Sequence, residues 1–147
     1  MFFAVFYIFS LLLSYMDCTK FLVPNKMLLS MTLLLLFFGI IEDKIYISSF
    51  LLPLLVLLFF IIVLLLKPTM ILGGGDIKYM MVIALFLPSM LFPLFLIVSG
   101  ILQSLMLLYT QNIKKRRVVA MVPLMFISVI LTQIIVYLGY YPLYSYQ

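Results

Sequence analysis

Two acids in this chain stand where acids are costly. Asp76 lies in the stretch Leu72-Gly73-Gly74-Gly75-Asp76-Ile77-Lys78, between two long apolar runs, and Asp17 closes the first apolar run. An ionisable group at the centre of a membrane helix costs roughly 3 kcal/mol on insertion scales, so such a group calls for a function. Irregular backbone at that depth is tolerated only where protein buries it or where it lines a wet cavity. Asp76 therefore belongs at a helix start, facing a water-accessible pocket or the interface. Two isolated carboxyl groups at one depth of a helix bundle are the minimum equipment of aspartyl proteolysis. Such a pair shares one proton. One carboxylate activates water while the other, protonated, polarises the scissile carbonyl.

The rest of the composition narrows the chemistry. Of 147 residues, 68% are hydrophobic and only 9% charged, with a mean hydropathy of +1.41. A soluble domain of this size has nowhere to hide so much apolar surface. The expectation is an all-α integral membrane protein, with 1–147 as a single transmembrane domain and no room for a separate soluble one. The chain has no His and a single Cys18. Histidine catalysis, a zinc Cys-x-x-Cys pair and an internal disulfide are thereby excluded, and haem or iron–sulfur ligation is not expected. The net charge of +5 rests on loop lysines and arginines, which report topology rather than nucleic-acid binding. The apolar N-terminus lacks a basic leading region and a small-x-small site, so it reads as a retained first helix.

Six apolar spans carry the acids. They run from Phe2 to about Met16 (continuing towards Thr19), Met27 to Ile41, Ile45 to Leu66, Ile77 to about Leu87, Met90 to Tyr109, and Val118 to Leu138. Pro24 begins the second helix and Pro53 is expected to kink the third. Pro88-Ser89 forms a turn, and Glu42-Asp43-Lys44 is a solvated charged turn. The Tyr-rich tail from Gly139 to Gln147 suits a headgroup-level belt. The odd connections hold Lys20, Lys26, Lys67, Lys78, Lys114, Lys115, Arg116 and Arg117, against Lys44 alone in the even ones. That asymmetry predicts odd connections in the cytoplasm and both termini outside. Asp17 and Asp76 then fall together on the cytoplasmic side. Lys114 to Arg117 fix topology and touch anionic lipid.

Helix dipoles suggest a division of labour. Asp17 ends the first span, at a negative dipole end, and Asp76 starts the fourth, at a positive one with Lys78 nearby. This predicts Asp76 ionised as base and Asp17 protonated as acid. Each feature also has a plainer reading. Asp76 alone would serve as a helix N-cap worth ~1 kcal/mol. The glycines would make an ordinary turn, Asp17 would pair with Lys20, and Lys78 would be a snorkelling lysine. Together these readings leave unexplained why both isolated acids share one membrane face, and why a glycine run adjoins one of them.

Gly73-Gly74-Gly75-Asp76-Ile77-Lys78 resembles the GxGDxK signature of type IV prepilin peptidases. Asp17 followed by Val23, Pro24 and Asn25 resembles the other half of that pattern. The short form is similar to the minimal prepilin peptidases of tight-adherence (Flp-type) pilus systems. It lacks the cytosolic region, often zinc-bearing, that accompanies N-methylation in larger members. Presenilin-like GxGD proteases share the core motif, but their first aspartate follows Tyr, and here Met16 precedes Asp17.

The resemblance implies a bacterial inner-membrane aspartyl endopeptidase serving type IV pilus or protein-secretion systems, with Asp17 and Asp76 as catalytic pair. It implies no metal or organic cofactor. The implied substrate is a prepilin or pseudopilin with a short basic leader, cut at the cytoplasmic face, typically after a Gly. Gly73, Gly74, Gly75, Lys78, Pro24 and Asn25 would be motif or substrate-positioning residues. Two other readings stand beside it. One is a small ion-coupled transporter or proton-relay subunit that uses the same acids. The other is a non-catalytic assembly subunit.

Overall fold

A computed structural model of the chain describes residues 1–20, 23–45, 47–66, 73–114 and 120–139. The described residues form six α-helices and one short 3-10 helix, without strands. The helices are α1 (Phe2–Lys20), α2 (Asn25–Ile41), α3 (Leu51–Leu66), α4 (Gly74–Phe86), α5 (Phe92–Lys114) and α6 (Val122–Tyr137), with the 3-10 turn Ile47–Phe50 preceding α3. Two of them, α1 and α5, are long and apolar enough to cross a membrane, and α2, α6 and most of α3 are shorter apolar helices. The Tyr-rich tail beyond Gly139, Lys67, Leu72 and Lys115 to Arg117 lie outside the described residues.

Local chemistry sets the helix ends. Pro24 is extended (φ −69°, ψ 121°) and caps α2 rather than entering it. Its carbonyl accepts from the N–H groups of Met27 and Leu28 at 3.1 and 3.2 Å. Pro88 ends α4, because the residue before a proline avoids helical backbone. Leu87 is accordingly extended at ψ 141°, and the Leu91 N–H closes the following turn onto the Pro88 carbonyl at 2.9 Å. Pro53 does not fall mid-helix, where a kink is expected. α3 begins at Leu51, so Pro53 falls in the first turn, where a missing N–H breaks no helical bond.

Helix α1 packs between α2 and α6, α5 lies outside against α6, and α4 touches α2, α3 and α6. The buried face of α1 reads Phe2, Phe6, Ser10, Leu13 and Asp17, one helical stripe. The second half of α4, Val82 to Phe86, is buried as well. At one end of the bundle the Phe6 and Phe86 rings stack at 3.6 Å with planes 6° apart, and Phe2 stacks on Phe86 at 5.4 Å. The Glu42 turn closes over this end and is not merely solvated. The Glu42 carboxylate accepts from the Phe2 N–H at 3.0 Å and pairs with Lys44 at 2.9 Å, while the Lys44 ammonium lies 4.2 Å over the Phe3 ring. Gly39 sits beneath the turn, where a Cβ would meet the Ile45 side chain at 2.3 Å.

Close packing of the buried side chains holds the bundle together. Phe86→Ala is therefore expected to destabilise the fold by about 3–5 kcal/mol, the range for emptying a buried aromatic site. Leu65→Ala, at a side chain 78% exposed, is expected to change nothing measurable. Thermal unfolding of both variants in one detergent, followed by loss of the monodisperse peak, checks the contrast.

Candidate active site

At the end of the bundle opposite the phenylalanine stack, four helix ends meet. They are the C-terminus of α1 and the N-termini of α2, α4 and α6. A cavity of about 310 Å³ lies among them, lined by Asp17, Val23, Asn25, Asp76, Lys78 and the three glycines Gly73 to Gly75. Both isolated acids thus face one space, close enough to feel each other's charge.

Asp17 is 5% exposed. Its Oδ2 accepts the backbone N–H of Val122 at 3.0 Å, and the Met121 N–H reaches the same carboxyl group. These are the first donors of α6, whose cap residue Met121 offers no side-chain acceptor. Helix α1 thereby supplies the N-cap that α6 lacks. Sequence reasoning missed this contact, because the donors are backbone groups without a side-chain signature. It also removes the basis for assigning the proton by dipole. Asp17 does end α1, but it faces the positive end of α6. Among the described residues the ion pairs are those of Glu42 with Lys44 and the chain's terminal amine. The plainer pairing of Asp17 with Lys20 is therefore not made.

Asp76 stands in the first turn of α4, after the cap residue Gly73 and the helical glycines Gly74 and Gly75. It is not the N-cap. Its carboxylate turns back towards the Gly73 backbone, as the third residue of a capping box does. The Asp76 N–H in turn donates to the Gly73 carbonyl at 2.9 Å. Both carboxyl groups therefore lie at helix N-termini, one at its own helix and one at a neighbour's.

The glycines differ in what they permit. A Cβ on Gly73 would sit 2.7 Å from Asp76 Oδ2, and one on Gly75 would sit 2.7 Å from the Val23 Cβ. A Cβ on Gly74 would meet nothing within 4 Å. The first glycine leaves room for the carboxylate. The third lets α4 press against the connection between α1 and α2, which carries the other half of the pattern. The two halves also touch through side chains, since the Lys78 ammonium donates to Asn25 Oδ1 at 2.9 Å. Pro24 does not line the cavity; it fixes the start of α2 and so the place of Asn25.

The geometry thus constrains positions 73 and 75 and leaves 74 free. The sequence model of the type IV leader peptidase family matches residues 4–108. The chain belongs to the type IV leader peptidase family. The match runs from α1 into α5 and covers both halves of the aspartate pattern; α6, whose N-terminus Asp17 caps, lies outside it. No curated protein and no solved structure matches the chain. Membership makes a leader-peptidase-like proteolytic function, with prepilins as the general substrate class, the general activity of this chain.

Below the acids, a line of hydroxyls continues along the contact of α1 with α4. Ser10, Ser14 and Tyr79 bury their hydroxyl oxygens there, with Ser10 and Tyr79 close enough to face each other. Groups of this kind are ordinarily bridged by internal water. They went unnoticed in the sequence, where serines on an apolar stripe pass as small packing residues.

The glycine contrast makes a direct test. Gly74→Ala is expected to keep leader-peptide cleavage within about twofold, since a helical Gly→Ala change is favourable by roughly 1 kcal/mol when space allows. Gly75→Ala and Gly73→Ala are expected to lose at least tenfold, equivalent to about 1.4 kcal/mol of transition-state stabilisation. Initial rates on a purified prepilin, alongside thermal stability of each variant, check the pattern.

Proposed function

We propose that the protein is a membrane aspartyl endopeptidase that removes the basic leader from type IV prepilins or pseudopilins at the cytoplasmic face of the membrane. The observation that carries this reading is the shared cavity. Two carboxyl groups, distant in sequence, face one polar space beside a side-chain-free strip of backbone. Asp17 and Asp76 are the proposed pair. Together they hold one proton and one negative charge. The ionised carboxylate takes a proton from water as its oxygen attacks the scissile carbonyl carbon, and the protonated carboxyl group gives its proton to the carbonyl oxygen. The resulting gem-diol collapses when its hydroxyl proton is withdrawn. The C–N bond breaks, the amine leaves with a proton, and the pair again shares one. The chemistry draws on these two side chains and water, with no cofactor in the proposal.

The sidedness follows from charge. Lys20, Lys26 and Lys78 lie at the acid end of the bundle and Lys44 at the other. The positive-inside rule then puts the cavity at the cytoplasmic face, with α1 to α6 as six passes. α4, the shortest at 13 residues, is held within the bundle by its buried half. A substrate whose basic leader stays in the cytoplasm presents its cleavage point at this depth. Gly73, exposed at the cavity, leaves room for an extended substrate backbone, and Lys78 with Asn25 would position it.

Asp17→Asn and Asp76→Asn test the pair. Asparagine keeps an acceptor for Val122 or Gly73, so both variants are expected to fold. Each is expected to lose prepilin cleavage by at least 10³-fold, on the order of 4 kcal/mol. Gel-shift assays of leader removal in proteoliposomes decide it, and wild-type rates in both variants would end the dyad assignment. A transporter reading would show itself instead as ion flux into the same liposomes, abolished by the same changes.

A further inference from the structure

A second cavity opens beside the acids. It is larger, about 490 Å³, and is lined almost wholly by apolar side chains. Its walls are one face of α2, with Leu29, Thr32 and Leu36, and one face of α4, with Met81, Val82 and Leu85. Each set recurs at helical spacing, so the groove runs lengthwise between two helices that start at the same end. Phe50 and Pro53, at the start of α3, line it as well. Asn25 and Lys78, hydrogen-bonded to each other, line both cavities. The apolar groove therefore leads directly into the acid pocket.

We infer that this groove seats the apolar helix of the substrate, the segment that follows the scissile bond. The inference rests on the proposed endopeptidase reading and names the subsite that reading lacks. From Lys78 to Leu85 α4 rises on the order of 10 Å, at about 1.5 Å per residue, which matches two turns of a docked helix. A helix satisfies its own backbone and asks no hydrogen bonds of an apolar wall. The groove offers few: the Thr32 hydroxyl donates to the Leu28 carbonyl at 2.8 Å, and the polar pair Asn25–Lys78 lies at the acid-pocket end. At the acid pocket the requirements reverse. A peptide bond must leave the helix to be attacked, and irregular backbone is tolerated only in a polar, wet space. The transition from apolar groove to carboxylate-lined pocket, at the Asn25–Lys78 pair, mirrors the transition from apolar helix to polar leader in the substrate. A lipid chain would fill the groove equally well but has no use for its junction with two acids.

Photocrosslinking separates these occupants. A benzoyl-phenylalanine is placed at Leu29 or Leu36, and as a control at Leu105, which is 58% exposed on α5. The Asp76→Asn background keeps the substrate uncut, and each protein is assembled in nanodiscs with a purified prepilin. The expected adducts join positions 29 and 36, but not 105, to the first two turns of the prepilin's apolar helix. Adducts to lipid alone, or equal prepilin adducts from position 105, overturn the inference.

A kinetic arm uses Leu29→Trp, which narrows the groove. KM for full-length prepilin is expected to rise about tenfold with kcat kept, the sign of lost uniform binding. A short leader-spanning peptide without the helix should be cut as by wild type, and equal effects on both substrates also overturn the groove. If wild type cuts no prepilin, the endopeptidase reading falls and takes the groove with it. If it cuts but position 29 finds only lipid, the groove falls alone.

Discussion

A negative charge has to be kept at the end of a hydrophobic bundle, and two helix N-termini hold it there. α6 points its first N–H groups at Asp17, and α4 curls its own first turn around Asp76. Unsatisfied N–H groups carry a partial positive charge, of roughly half an elementary charge per helix end, and favour an anion within the first turn. Two such ends aimed at one cavity suit a pair of carboxyl groups that together bear a single charge. The arrangement also couples stability to the site. α6 has no side-chain cap of its own, so the helix and the carboxylate each complete the other.

Close approach makes this convergence possible, and Gly75 permits it. With any side chain at that position, α4 would be pushed off Val23, and the Lys78–Asn25 contact would part along with it. Pro24 contributes from the opposite side by stopping the chain from helical continuation and starting α2 afresh at Asn25. The motif is therefore two surfaces that fit: a glycine-thinned helix start and a proline-fixed connection. Gly74 faces open space and has no share in that fit.

Much of this was legible in the sequence, for a definite reason. Apolar runs broken by charge and proline mark helix ends, so six helices and the Pro88 turn fell where hydropathy put them. The two acids stood out because acids are rare in such runs. What stayed hidden was carried by backbone or by register. The Val122 N–H leaves no trace in a list of residue types. Pro53 looked like a kink because the apolar run continued upstream of it, while the helix itself starts only two residues earlier. Glu42 passed as a loop acid since its partner, the Phe2 N–H, belongs to a distant helix. The dipole argument was incomplete in the same way: it counted the helix to which Asp17 belongs and not the helix that Asp17 faces.

The same geometry weighs between hydrolysis and transport. An ion pathway needs polar access from both ends of the bundle to a site near its middle. From the acids, buried hydroxyls at Ser14 and Ser10 lead inward along α1, and Tyr79 accompanies them on α4. One turn beyond Ser10 the polar line meets Phe6, fully buried and stacked at 3.6 Å on Phe86, with Phe2 stacked next to it. Rings at that separation leave no room for water between them. The acid cavity lies at the end where Lys20, Lys26 and Lys78 gather, and aromatic packing fills the other end. A cavity reached from one end suits a reaction that takes its water and its peptide from one face better than it suits an ion that must leave by the opposite one.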